Sequence, residues 1–93
     1  MLTPKDRKIL LARSHALKPA VTCAADRLSP AVVDQVRAAF PDGGLLKVRI
    51  TAAAAAPCDA AAARLAAGVP CEVVRRVGRV VVLYRSPEGH AAP

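Results

Sequence analysis

Val77-Gly78-Arg79-Val80-Val81-Val82-Leu83-Tyr84-Arg85 is the stretch on which the fold turns. Val80 to Tyr84 is an unbroken β-favouring run, and such a run cannot leave both faces of a strand in water. It predicts an interior strand. Just upstream, residues 71–77 form a second β-rich run, and Gly78-Arg79 lets the chain reverse between the two. An antiparallel pair is therefore expected as the spine of a small sheet. Everything earlier in the chain must pack on or beside it.

Residues 45–51 are the clearest strand outside that pair. Leu46, Val48 and Ile50 alternate with Lys47, Arg49 and Thr51, so one face is buried and the other wet. Residues 20–23 read as a short strand, followed by a connecting loop over 24–28. Helices are marked by their starts. Thr3-Pro4-Lys5-Asp6 opens the first, which runs to about Ser14 or His15; Pro19 bars its continuation. Ile9, Leu10 and Ala12 give it a narrow apolar face, and Lys5, Arg7, Lys8 and Arg13 make the rest basic. Ser29-Pro30 opens the second, whose buried stripe is Val32, Val33, Val36, Ala39 and Phe40. Pro41-Asp42-Gly43-Gly44 ends it. The third is expected from Pro57, with Asp59 in its first turn, to about Ala67, with Gly68 as its capping glycine and Pro70 beyond. Leu65 is its only large apolar residue, so it should lie close to the sheet and be the least firmly anchored element.

The order is α-β-α-β-α-β-β. Strands alternating with helices favour parallel pairings, with the last hairpin adding an antiparallel strand. The expectation is an α/β two-layer sandwich, a four-stranded mixed sheet with three helices covering one side. Residues 1–87 are read as a single domain and 88–93 as a disordered tail.

The chain has 93 residues, a formal charge of +7 and 54% hydrophobic residues. That hydrophobic content argues against disorder, and the surplus cation points to a polyanionic partner, nucleic acid before membrane. No secretory segment or membrane span can be read, which suggests a cytoplasmic location. Cys23, Cys58 and Cys71 lack CxxC spacing, so they imply neither a disulfide framework nor a metal site; they read as reduced, buried or half-buried thiols. His15 and His90 are isolated, there is no telling carboxylate pair, and no glycine-rich phosphate loop is present. Catalysis and a cofactor are therefore not expected. Cys23 is the only conceivable nucleophile and reads better as structural. No large apolar surface face is legible, so a monomer is expected.

Leu2-Thr3-Pro4-Lys5, Ala16-Leu17-Lys18-Pro19, Leu46-Lys47-Val48-Arg49-Ile50 and Val77-Gly78-Arg79 running into Val82-Leu83-Tyr84-Arg85 together resemble the CRM (chloroplast RNA splicing and ribosome maturation) domain, in its stand-alone YhbY-type form. The likeness spans roughly residues 2–87. The resemblance implies a mixed four-stranded sheet similar to the C-terminal domain of translation initiation factor three. It also implies RNA binding and association with large-subunit ribosome precursors. In one place the chain departs from the family: where a GxxG loop usually stands, it has Ala24-Ala25-Asp26-Arg27. Glycine there would let backbone N–H groups approach a phosphate. Without it, the Arg27 guanidinium is the available phosphate contact.

The expected RNA surface is Lys5, Lys8 and Arg13 on the first helix, Lys18 before the first strand, Arg27 in the loop, and Lys47 and Arg49 on the open sheet face. Arg79 and Arg85 on the hairpin join them, with Arg75 and Arg76 as further candidates. About half of these cations are expected only to solubilise. Tyr84 and Phe40 are the only aromatics, so contacts to the backbone and shape of structured RNA are expected rather than base stacking. The reading is an assembly factor on rRNA of the large-subunit precursor. The alternatives are a protein-interaction module or a nucleic-acid-binding protein unrelated to the ribosome.

Overall fold

The computed structural model describes residues 2–40 and 44–85. The tail expected over 88–93 and most of the turn at 41–44 lie outside them. The elements run α1 (Pro4–Ser14), β1 (Val21–Ala24), a 3₁₀ turn (Ala25–Arg27), α2 (Pro30–Ala39), β2 (Leu45–Thr51), α3 (Ala55–Gly68), β3 (Glu72–Val77) and β4 (Val80–Tyr84). The order is the expected one; the 3₁₀ turn falls within the stretch read as loop.

Local chemistry sets the helix starts. Thr3 Oγ1 accepts from the Asp6 N–H at 3.0 Å, and Asp6 Oδ2 accepts from the Thr3 N–H at 3.2 Å. This reciprocal box satisfies two amides that the helix itself leaves unpaired. Ser29 Oγ accepts from the Val32 N–H at 3.2 Å, with Pro30 in the first turn of α2. By contrast α3 begins at Ala55, ahead of Pro57, and has no side-chain cap.

Gly68 corrects the expectation of a capping glycine. It is the last residue of α3, and Val69 takes the cap position. A Cβ at Gly68 would stand 2.9 Å from Val33 Cγ1. The glycine is there because α2 and α3 approach closely.

The sheet order is β1-β2-β4-β3. β1 runs parallel to β2, with Val21 opposite Val48 and Cys23 opposite Ile50. β4 is antiparallel to both neighbours, so the apolar run is indeed the interior strand. Gly78, at φ +63°, makes the tight reversal between β3 and β4.

The main core lies where α2 and α3 cover one face. Val48, Ile50, Val81 and Leu83 from the sheet meet Val36 and Leu65, all fully buried. α3 is better seated than expected: Cys58, Ala61, Ala62 and Leu65 are each at most 2% exposed. Small side chains supply little area but let the helix backbone come close, so what they have is wholly buried.

The layering also needs one correction. α1 packs on the opposite face, where Leu10 meets Leu45, Val74 and Val82, with Leu2, Leu11 and Tyr84 around them. Side chains alternate across the pleat, so these strand residues face away from the main core. The second face is thus partly covered, and the helices do not all lie on one side. β3 carries an irregularity between Val73 and Arg75. At that bulge Arg7 Nη1 donates to the carbonyl oxygens of Val73 and Val74, the latter at 2.9 Å, and pins α1 to the sheet edge.

Candidate nucleic-acid interface

The side chains that the sequence singled out divide into groups once the elements are placed. Lys5, Lys8 and Arg13 are all exposed on α1. Lys8 shares a shallow groove between α1 and β3 with Arg75, over Leu11 and Val74. Arg13 lies on the other flank of the helix, beside Ile9 and Tyr84. Beyond the C-terminal end of α1, the sheet face is open. There Lys47 and Arg49 line a groove with His15, Pro19, Val77, Val80 and Val82. The pleat puts Lys47, Arg49 and Arg75 on this face, because Val82 stands opposite both Lys47 and Arg75 and Val80 stands opposite Arg49. Lys47 is half-buried and donates from Nζ to the Leu17 carbonyl at 3.2 Å, so it also ties down the connection that holds exposed Lys18. The face of α1 and the sheet end past it therefore bring together Lys8, Arg75, Lys47 and Arg49.

Arg27 and Arg79 belong to the end of the sheet where β1 and β2 finish. Arg27 is exposed in the 3₁₀ turn. Arg79 is half-buried; its carbonyl accepts from the Ile50 N–H at 2.8 Å and its Nε donates to the Ala52 carbonyl at 3.2 Å. Arg85 is not brought to them. It sits at the opposite end, where its N–H donates to the Gly44 carbonyl at 3.1 Å and its Nε is buried without a hydrogen-bond partner among the described residues.

Other arginines are committed to the fold. Arg7 holds the β3 bulge. Arg37 pairs with Asp34 and donates to the Gly68 carbonyl at 2.7 Å. Arg76 pairs with Asp59 and donates to the Gly78 carbonyl at 2.9 Å. Sequence reasoning missed Arg64, which is exposed and lines a groove of about 700 Å³ between the 3₁₀ turn and α3. The available signal was a lone cation in an alanine-rich helix.

Phe40 is half-buried against the main core and Tyr84 against the α1 cluster, so neither offers an exposed stacking platform. Burial raises the Cys23 thiol, with Cys58 nearby adding to the shift. Burial also pushes Cys71 up to about 11, against the opposing pull of Arg85. Both are therefore thiols rather than thiolates at neutral pH. Among the described residues no cluster of His, Cys, Asp or Glu could hold a metal ion, and no helix is long and apolar enough to cross a membrane.

The chain and its fold have known relatives. The family model of the CRS1/YhbY (CRM) domain matches residues 2–85. A protein of Methanocaldococcus jannaschii, named a probable RNA-binding protein, is 36% identical over 90 residues. The match covers 95% of this chain and 66% of that relative's length. The solution structure of a hypothetical RNA-binding protein from Staphylococcus aureus superposes with a TM-score of 0.81 at 22% identity. It covers 92% of this chain and 90% of that one, a likeness of fold.

Proposed function

The chain belongs to the CRS1/YhbY (CRM) domain family, and we propose that it binds structured RNA as an assembly factor on rRNA of the large-subunit precursor. The observation that carries the RNA reading is the state of the cations. Lys5, Lys8, Arg13, Lys18, Arg27, Arg49 and Arg75 are exposed and make no hydrogen bond or ion pair among the described residues. Cations held in fixed elements, with no protein partner to release, can exchange condensed counterions for phosphates. The name of the Methanocaldococcus relative supports the same class of ligand. The large-subunit assignment rests on what the family resemblance implies.

This reading makes the protein a binder rather than a catalyst, acting as a soluble cytoplasmic monomer from a single domain. RNA would be held by backbone and shape contacts, since the two aromatics are half-buried. A sucrose-gradient profile is the direct test. The chain should sediment with precursor particles of the large subunit and leave them as salt rises. A chain that stays at the top of the gradient at low salt, with purified protein free of nucleic acid, would favour a protein-interaction module.

A further inference from the structure

We infer that the groove between the 3₁₀ turn and α3 takes an unpaired guanine base, with the Asp26 carboxylate reading its Watson–Crick edge. The inference rests on the RNA-binding reading above and adds a base-specific site to it.

Asp26 is the anomaly that motivates it. Asp6 is engaged in the α1 cap, Asp34 with Arg37, Asp59 with Arg76, and Glu72 accepts from the Leu2 N–H. Asp26 alone among the described acids has no hydrogen bond or ion pair, and it is exposed. It precedes Arg27, at the end of the sheet that also carries Arg79. A free carboxylate beside phosphate-binding cations repels RNA unless it accepts a hydrogen bond from it.

The groove supplies what such a bond would need. Ala25, Ala52, Ala53, Pro57 and Ala60 line it, giving apolar walls with no large side chain to fill the space. Asp26 and Arg64 line it too. A flat ligand with apolar faces and polar edges fits that lining, and a nucleobase is such a ligand. An ionised carboxylate is acceptor-only, with two oxygens. Guanine is the base that presents two adjacent donors, N1–H and the N2 amine, on its Watson–Crick edge. Its O6 and N7 are acceptors that a guanidinium such as Arg64 can serve. Arg27, next in the chain, is placed to hold the phosphate of the same nucleotide.

The test uses the full chain and fluorescein-labelled RNA hairpins with uridine loops carrying one guanosine, one inosine or one adenosine, titrated at one salt concentration. The guanosine loop should bind about tenfold tighter than the adenosine loop. Inosine, which lacks the N2 amine, should fall between. Asp26→Ala should abolish the preference by weakening the guanosine loop about tenfold while leaving the adenosine loop equal or slightly tighter. Equal binding of all three loops by the native protein would overturn the inference, and so would Asp26→Ala tightening all three alike; RNA binding itself would stand. Failure of every hairpin to bind would instead remove the RNA-binding reading, and this inference with it.

Discussion

Arg7 and Lys8 are neighbours of like charge on α1, and their replacement should have opposite consequences. Arg7 is half-buried and donates to two carbonyls at the β3 bulge; Lys8 is exposed and makes no bond among the described residues. A hydrogen bond from a charged group contributes about 1.5–3 kcal/mol net when shielded from water. The β3 edge is open to water, so the pair together is taken as about 2 kcal/mol, near the lower end. Arg7→Ala should then lower the melting temperature by roughly 8–16 °C for a domain of this size. In urea, with a slope near 1 kcal/mol/M, the midpoint should fall by about 2 M without a change of slope. Lys8→Ala should move stability by less than about 0.5 kcal/mol. It should instead flatten the salt dependence of RNA affinity by about one unit of slope, a roughly threefold effect between 50 and 200 mM salt. Far-UV circular dichroism during urea titration measures the first effect, and RNA titration in urea-free buffer the second. A wild-type unfolding midpoint for Arg7→Ala would refute the argument, since water would then satisfy the bulge carbonyls as well as the guanidinium does.

Gly68→Ala should destabilise by about 1 kcal/mol, because the 2.9 Å approach to Val33 Cγ1 outweighs the helix propensity gained at a terminal residue. Val33→Ala in the same chain should remove most of that penalty, and thermal melts of the two single variants and the double variant measure the coupling. The capping hydrogen bonds from the Thr3 backbone and side chain hold the Asp6 carboxyl below its ordinary value of 3.8. A depressed folded-state value stabilises fully above 3.8 and loses that contribution as pH falls through the folded value. Asp6→Asn should therefore be less stable than the native chain at pH 6, with the gap closing below pH 3.8 in a series of urea titrations.

The sheet was legible because two strands state their environments openly. Leu46, Val48 and Ile50 alternate with polar residues, and β4 is apolar throughout. Those two signals pull apart on the question of cover. The alternation in β2 suggests one wet face, whereas Val82 sits between Val81 and Leu83 and requires apolar cover on both faces. The structure resolves the conflict by distance along the sheet: α1 covers Leu45, Val74 and Val82, and Lys47 and Arg49 lie towards its end. The position of α1 could not be read from its own pattern, since only Leu10 and Ser14 are buried on it. Nor does a basic composition say which cation is committed to a backbone carbonyl. Arg7, Arg37 and Arg76 look like their neighbours in sequence and are separated from them only by partners that lie far along the chain or across a turn. Arg85 was grouped with Arg79 as two ends of one strand, and those ends face opposite rims.

The central position of β4 has a consequence for biosynthesis. β4 is the last strand in chain order, yet it joins β2 to β3. Until it leaves the ribosome, β3 has no neighbour and the β1–β2 pair stands alone. α1 is made first, but Arg7 finds its carbonyls 66 and 67 positions later. Contacts this distant in sequence form only after the loop between them has closed. The nascent chain therefore carries a basic helix with nowhere to dock, and the cationic surface comes into being all at once when the final strand is added. Stopping translation before Val80 would remove two of the three strand pairings at once, leaving β3 unpaired and β1–β2 as an isolated pair. A chain synthesised only as far as β3 therefore lacks the ordered basic face that the finished sheet carries.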